Sequence, residues 1–207
     1  MEQFELQLLA FVEEKMKTDA AHDISHILRV VKTAKQLCLA EGAIHEVVVP
    51  AAYLHDCFTF PKDHPERQQS SLYAADMAIE FLKSIDYPEQ HFSAIHHAIV
   101  SHSFSANVTP ETLEAKVVQD ADRLDALGAV GVSRCVQVST ALGRTLYSIN
   151  DPFCTEREPD DKTFTIDHFY IKLLHLAQTM NTLSATNEAT KRTRFMQAYL
   201  EQLQSEI

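Results

Sequence analysis

The run "HEVVVPAAYLHDCF", residues 45–58, is apolar on nearly every side of a helix drawn through it. Such a helix has no solvent face, so other elements must surround it. Pro50 falls near its first turn, where a missing N–H is tolerated. The rest of the chain offers partners of the same kind. "FELQLLAFVEEKM" and "SHILRVVKTAKQLCLAEG" carry apolar residues at helical spacing, and the second ends at Gly42, a good helix stop. Asp23 and Ser25 are its candidate caps. "SSLYAADMAIEFLKSI" is amphipathic behind a serine cap. "EQHFSAIHHAIVSHS" is a histidine-rich helix. A long helical stretch enters through Thr109-Pro110-Glu111 and breaks near Gly128 or Gly131, read as close-packing positions. "IDHFYIKLLHLAQTM" and "ATKRTRFMQAYLEQLQSEI" close the chain as helices.

No segment alternates with period two for long, and 4 glycines and 7 prolines in 207 residues argue against a turn-rich β fold. The expectation is one all-α domain over residues 1–207, with a core at about 15–140. A loop at about 146–164 is a candidate lid, and helices fill 165–207.

Eighteen basic against 29 acidic residues give a formal charge of −11. Such a chain has no bulk field for a long nucleic acid or an anionic membrane. An anionic substrate must be met by a local cluster of cations or by a metal. The four cysteines form no CxxC pair, which fits neither a disulfide framework nor a thiolate zinc site and points to a cytoplasmic protein. The start has no basic region of the signal-peptide kind.

His55-Asp56 interrupts the most apolar run of all. A buried carboxylate beside an imidazole is costly without partners. Successive helix positions point about 100° apart, so a cation against both explains the doublet better than a mutual hydrogen bond. Upstream stand His22 and His26 in "AHDISHILRV"; downstream stand Asp120, Asp122 and Asp125 in "VVQDADRLDALG", among Val117, Val118, Leu124 and Leu127. His26 and His55 are 55 − 26 = 29 residues apart, and Asp56 and Asp122 are 122 − 56 = 66 apart. Both gaps let a helix leave and return antiparallel.

In this order the segments "HDISHILRV", "AAYLHDCF", "HAIVSHSFSA", "EAKVVQDADRLDALGAVG" and "DDKTFTIDHFYIKLLHL" resemble the HD-domain metal-dependent phosphohydrolases, over roughly residues 15 to 175. The resemblance is nearest to small single-domain bacterial members that include nucleotide pyrophosphohydrolases. It implies an HD-domain helical bundle with a C-terminal loop-and-helix extension. It places the metal ligands at His26, His55, Asp56 and Asp122, with Asp120 the rival for the last position.

Two imidazoles and two carboxylates suit Mn, Mg, Fe, Co or Zn, with Mn favoured. A metal there lowers the pKa of water bound to it. Asp56 takes a dual role, ligand and orienter of water. Phosphoryl transfer also needs cations for the non-bridging oxygens. Lys62 and Arg67 follow the doublet, His97 and His102 sit on the histidine-rich helix, and Lys162 and Lys172 lie near the lid. His102 is the catalytic candidate of its pair. His168 and Lys172 share a helical face at i, i+4.

The leading reading is hydrolysis of a nucleoside or deoxynucleoside triphosphate to monophosphate and pyrophosphate. A 5′-nucleotidase type of phosphomonoesterase uses the same site. A non-enzymatic nucleotide- or metal-binding module is the third reading. "HDISH" as a variant HExxH zinc motif leaves His55-Asp56 unexplained. The motifs name neither base, sugar nor oligomeric state.

Overall fold

The computed structural model describes residues 2–15, 24–61, 64–103 and 106–207. His22, Asp23 and Lys62 lie outside these residues. The chain divides into two compact units, Met1–Asp122 and Arg123–Ile207. The described residues form helices joined by turns and contain no strand; the sole β feature among them is an isolated bridge between Thr145 and Phe164.

The first unit holds α1 (Glu2–Lys15), α2 (Ile24–Glu41), α3 (His45–Leu54), α4 (Ser70–Ser84), α5 (Phe92–His102) and α6 (Leu113–Asp125), whose last turn runs into the second unit. α3 is the hub and packs against α1, α2, α4 and α5. Every residue from Val47 to Leu54 is buried, as its lack of a polar face demands. Pro50 sits inside α3. α2 turns a stripe of Ile27, Val30, Val31, Ala34 and Leu37 into the core. It stops where Gly42, at φ +74°, donates its N–H to the Cys38 carbonyl.

Two boundaries differ from expectation. α3 ends at Leu54, so His55 is its C-cap and Asp56 stands in the turn beyond. The cap of α4 is Gln69, not a serine. The Ser70 hydroxyl instead donates to the Arg67 carbonyl and accepts from the Phe60 N–H.

The second unit holds α7 (Gly128–Ala141), α8 (Asp167–Ile171), a 3-10 stretch (Leu173–Thr179) and α9 (Leu183–Glu206). α7 packs on α9, and α9 on the 3-10 stretch. The break between α6 and α7 falls at Gly128, whose φ of +72° a side chain rarely adopts. A Cβ on Gly131 would overlap the Ala126 carbonyl, so this glycine permits a close approach to the preceding turn.

The segment 146–164 is pinned at several points. Asp151 accepts the N–H groups of Thr155, Glu156 and Arg157. Arg157 then forks onto the fully buried Asp167 at 2.5 and 2.7 Å. Lys172 breaks the expected last-but-one helix at φ −132°, ψ −58°. The Lys172 N–H still donates to the His168 carbonyl at 3.0 Å, so Lys172 caps the turn that holds His168; His168 Nδ1 lies 2.7 Å from Asp161 Oδ2.

Candidate metal centre

His26 opens α2 in register with the stripe Val30 and Ala34, so its imidazole is buried, as is that of His55. Their Nε2 atoms lie 3.4 Å apart. Asp56 Oδ2 stands 3.5 Å from His55 Nε2 and 3.8 Å from His26 Nε2. Asp122 Oδ1 stands 3.4 Å from His26 Nε2 and 3.8 Å from His55 Nε2. Among the described residues, His26, His55 and Asp56 offer ligand atoms all within 4.8 Å of one another. Asp122 reaches the same two imidazoles. Asp120 points about 200° away around α6 and is fully buried.

The donor chemistry fits a cation. The Nδ1–H of His55 donates to the Ala52 carbonyl at 2.9 Å, because a carbonyl can only accept. That fixes the tautomer and leaves Nε2 as a lone pair aimed at the cluster. This lone pair faces a second imidazole nitrogen and two carboxylates across less than 4 Å. The His55 lone pair and the two carboxylates are acceptors, and a cation among them would offset their mutual repulsion. The point equidistant from His26 Nε2, His55 Nε2 and Asp56 Oδ2 is about 2.1 Å from each, since the three separations are 3.4, 3.5 and 3.8 Å; that is a metal–N/O bond length.

Burial, the largest influence on His55, lowers its pKa, so the ring stays neutral as a ligand must. Burial pushes the Asp56 carboxyl up, but the hydrogen bond and charge of His102 oppose it, and Asp56 is held well below the usual range. The neighbouring Cys57 thiol is pushed up to about 12 by burial and by Asp56, so it supplies no thiolate.

His102 belongs to the same cluster, with Nε2 3.5 Å from Asp56 Oδ1. Its Nδ1–H donates to the Ile99 carbonyl. Burial opposes its protonation, yet the hydrogen bond and charge of Asp56 raise its pKa. Gln119, which no motif marked, donates to the Ser101 carbonyl at 2.7 Å and holds the end of α5 from α6. Its buried position beside Val118 was the only trace of this role in the sequence.

The other candidates have these surroundings. His97 Nε2 accepts the Glu111 N–H at 3.0 Å. Arg67 donates Nη1 to the Phe60 carbonyl at 3.0 Å. Lys162 and Lys172 are exposed residues of the second unit. Sequence reasoning also passed over an aromatic group that follows the doublet: Phe58, Phe60 and Tyr73 are in mutual ring contact, and His64 stacks on Phe60.

The HD domain family matches residues 23–127, half of the chain, with all four candidate ligands inside the match. The chain belongs to the HD-domain family. Bacillus subtilis YpgQ is 30% identical over 207 residues, spanning 97% of this chain and 92% of YpgQ. The crystal structure of YpgQ in complex with ADP superposes with a TM-score of 0.76, covering 100% of this chain and 96% of that one. An HD-superfamily hydrolase from Bacillus thuringiensis is 33% identical with a TM-score of 0.76, covering 99% of this chain and 97% of its own. Membership brings the class of chemistry: the chain is a metal-dependent phosphohydrolase of the HD superfamily. HD domains bind divalent metals, and the His/Asp cluster is a possible site for one here. Among the described residues no helix is long and apolar enough to cross a membrane.

Proposed function

We propose that this HD-domain hydrolase cleaves nucleoside or deoxynucleoside triphosphates to monophosphate and pyrophosphate, with Mn the favoured metal. The observation that carries the reading is the convergence of His26, His55, Asp56 and Asp122 at ligand spacing. The ADP held by YpgQ supports a nucleotide as the ligand. Relatives matched along nearly their whole length support one HD-type domain spanning the chain. Free cysteines and a nucleotide substrate favour the cytoplasm.

His26, His55, Asp56 and Asp122 would hold the ion. When bound, a divalent ion polarises a phosphoryl oxygen and lowers the pKa of water. Asp56 has a second oxygen, Oδ1, turned toward His102 and available to orient the attacking water. His102 holds a proton on Nδ1 through Ile99 and, with its raised pKa, can carry one on Nε2 for the leaving oxygen. Lys62, Arg67, His97, Lys162 and Lys172 are the proposed contacts for the polyphosphate. On a chain of charge −11, few cations serve that purpose, so each should count.

The test is a panel of nucleoside mono-, di- and triphosphates against Mn, Mg, Co and Ni, with phosphate and pyrophosphate assayed separately. Pyrophosphate and monophosphate in equal amounts are expected from triphosphates. Orthophosphate alone, or activity confined to monophosphates, would assign the chain to the phosphomonoesterase reaction. Absence of metal-dependent turnover would leave a binding module.

A further inference from the structure

The turn after the doublet carries aromatic rings to the surface of the first unit. Phe60 and His64 stack in parallel, with centroids 4.2 Å apart and planes at 4°. Phe58 meets Phe60 edge-on at 4.9 Å, and Tyr73, from the first turn of α4, meets Phe60 edge-on at 5.2 Å. Tyr73 is 43% exposed and its neighbour Leu72 41%. A group needed only as core would be covered more fully, since removing such rings from water is favourable.

The backbone under the rings is fixed. The Phe60 N–H donates to Ser70 Oγ and the Phe60 carbonyl accepts from Arg67 Nη1. Ser70 and Arg67 are themselves joined at 2.8 Å. A backbone held on both sides costs a ligand little ordering on binding. Phe60 follows Asp56 by four residues. At about 3.6 Å per residue the two are no more than ~14 Å apart, within the span of a nucleoside triphosphate.

We propose that Phe58, Phe60, His64 and Tyr73 form the platform on which the nucleobase of the substrate stacks. This rests on the nucleotide reading above and adds the base-recognition surface to it. The imidazole of His64, whose Nδ1 accepts the Glu66 N–H at 3.2 Å, already lies on Phe60 as a flat heteroaromatic ring does. A purine is the same kind of partner with a larger face. Stacking of this type tolerates different bases and ranks them by ring area, so purines bind more tightly than pyrimidines.

Calorimetric titration of the Mn-loaded chain with ADP, CDP and inorganic tripolyphosphate tests this. In the wild type, ADP binds more tightly than CDP. Phe60→Leu, which keeps an apolar side chain but has no ring, weakens ADP at least about fivefold and leaves tripolyphosphate unchanged; Phe60→Tyr restores ADP binding. A stack worth about 1–3 kcal/mol sets that scale. Equal losses for ADP and tripolyphosphate would make the ring structural and overturn the platform, as would unaltered ADP affinity in Phe60→Leu or no ADP binding by the wild type. Titration needs no turnover, so failure of the triphosphatase reading, seen as missing pyrophosphate, is distinct from failure of the platform.

Discussion

His55 donates its Nδ1–H to the Ala52 carbonyl and turns Nε2 to the cluster, so its proposed role as a ligand is prepared by a backbone bond inside its own helix end. Asp56 is the residue on which the site depends most, because its two oxygens face different partners: Oδ2 the two buried imidazoles, Oδ1 His102. Asp56→Ala is expected to lower kcat by more than about 100-fold, beyond what loss of an outer-shell partner costs. Its far-UV circular dichroism should stay helical. Wild-type kcat in this variant with metal present would make the doublet structural. His102→Gln has a different signature. It should cost about 10²-fold or more in kcat while metal content, measured by mass spectrometry, stays at the wild-type level. Loss of metal together with activity would instead make His102 a ligand. The sequence marked His26, the His55-Asp56 doublet and the segment 120–125 because polar residues interrupt apolar runs there, and the family resemblance put Asp122 ahead of Asp120. The apolar pattern alone could not separate those two, since both lie in one apolar helix and only the direction of the turn distinguishes them.

At the level of elements, the buried character of α3 could be read directly, and its end could not. Apolar residues continue past Leu54 through Cys57 and Phe58, so the pattern gave no sign that the helix stops before the doublet. The last-but-one helix misled for another reason. Buried Leu173 and Leu176 are spaced by three, which an α-helix and a 3-10 helix satisfy equally over seven residues. The loop 146–164 was legible, but its pinning was not, because its contacts, Asp151 to three N–H groups and Arg157 to Asp167, depend on side chains reaching back along the chain. Asp167 is buried, which raises its carboxyl pKa, but Arg157 and the Asp160 N–H prevail and hold it below the ordinary value. A depressed folded-state pKa means stability that is full above the unfolded value of about 3.9 and lost as pH falls through the folded value. Asp167→Asn is expected to lose about 3 kcal/mol at pH 7, since the partner Arg157 is left behind. Thermal scans should show the wild type losing Tm more steeply than the variant below about pH 4. Parallel pH profiles would show that Asp167 adds no charge-dependent stability.

For the whole molecule, a chain of charge −11 belongs to a family whose chemistry acts on anions. A divalent cation held among two imidazoles and two carboxylates, as proposed, would reconcile the two, by offering an anion open coordination positions where the carboxylate charge is already neutralised. The most direct measurement is a crystal structure of the chain soaked in Mn, with anomalous data collected at the manganese edge. The account predicts a peak about 2.0–2.3 Å from His26 Nε2, His55 Nε2, Asp56 Oδ2 and Asp122 Oδ1. Manganese bound elsewhere with this cluster empty, or these four side chains dispersed, would contradict it.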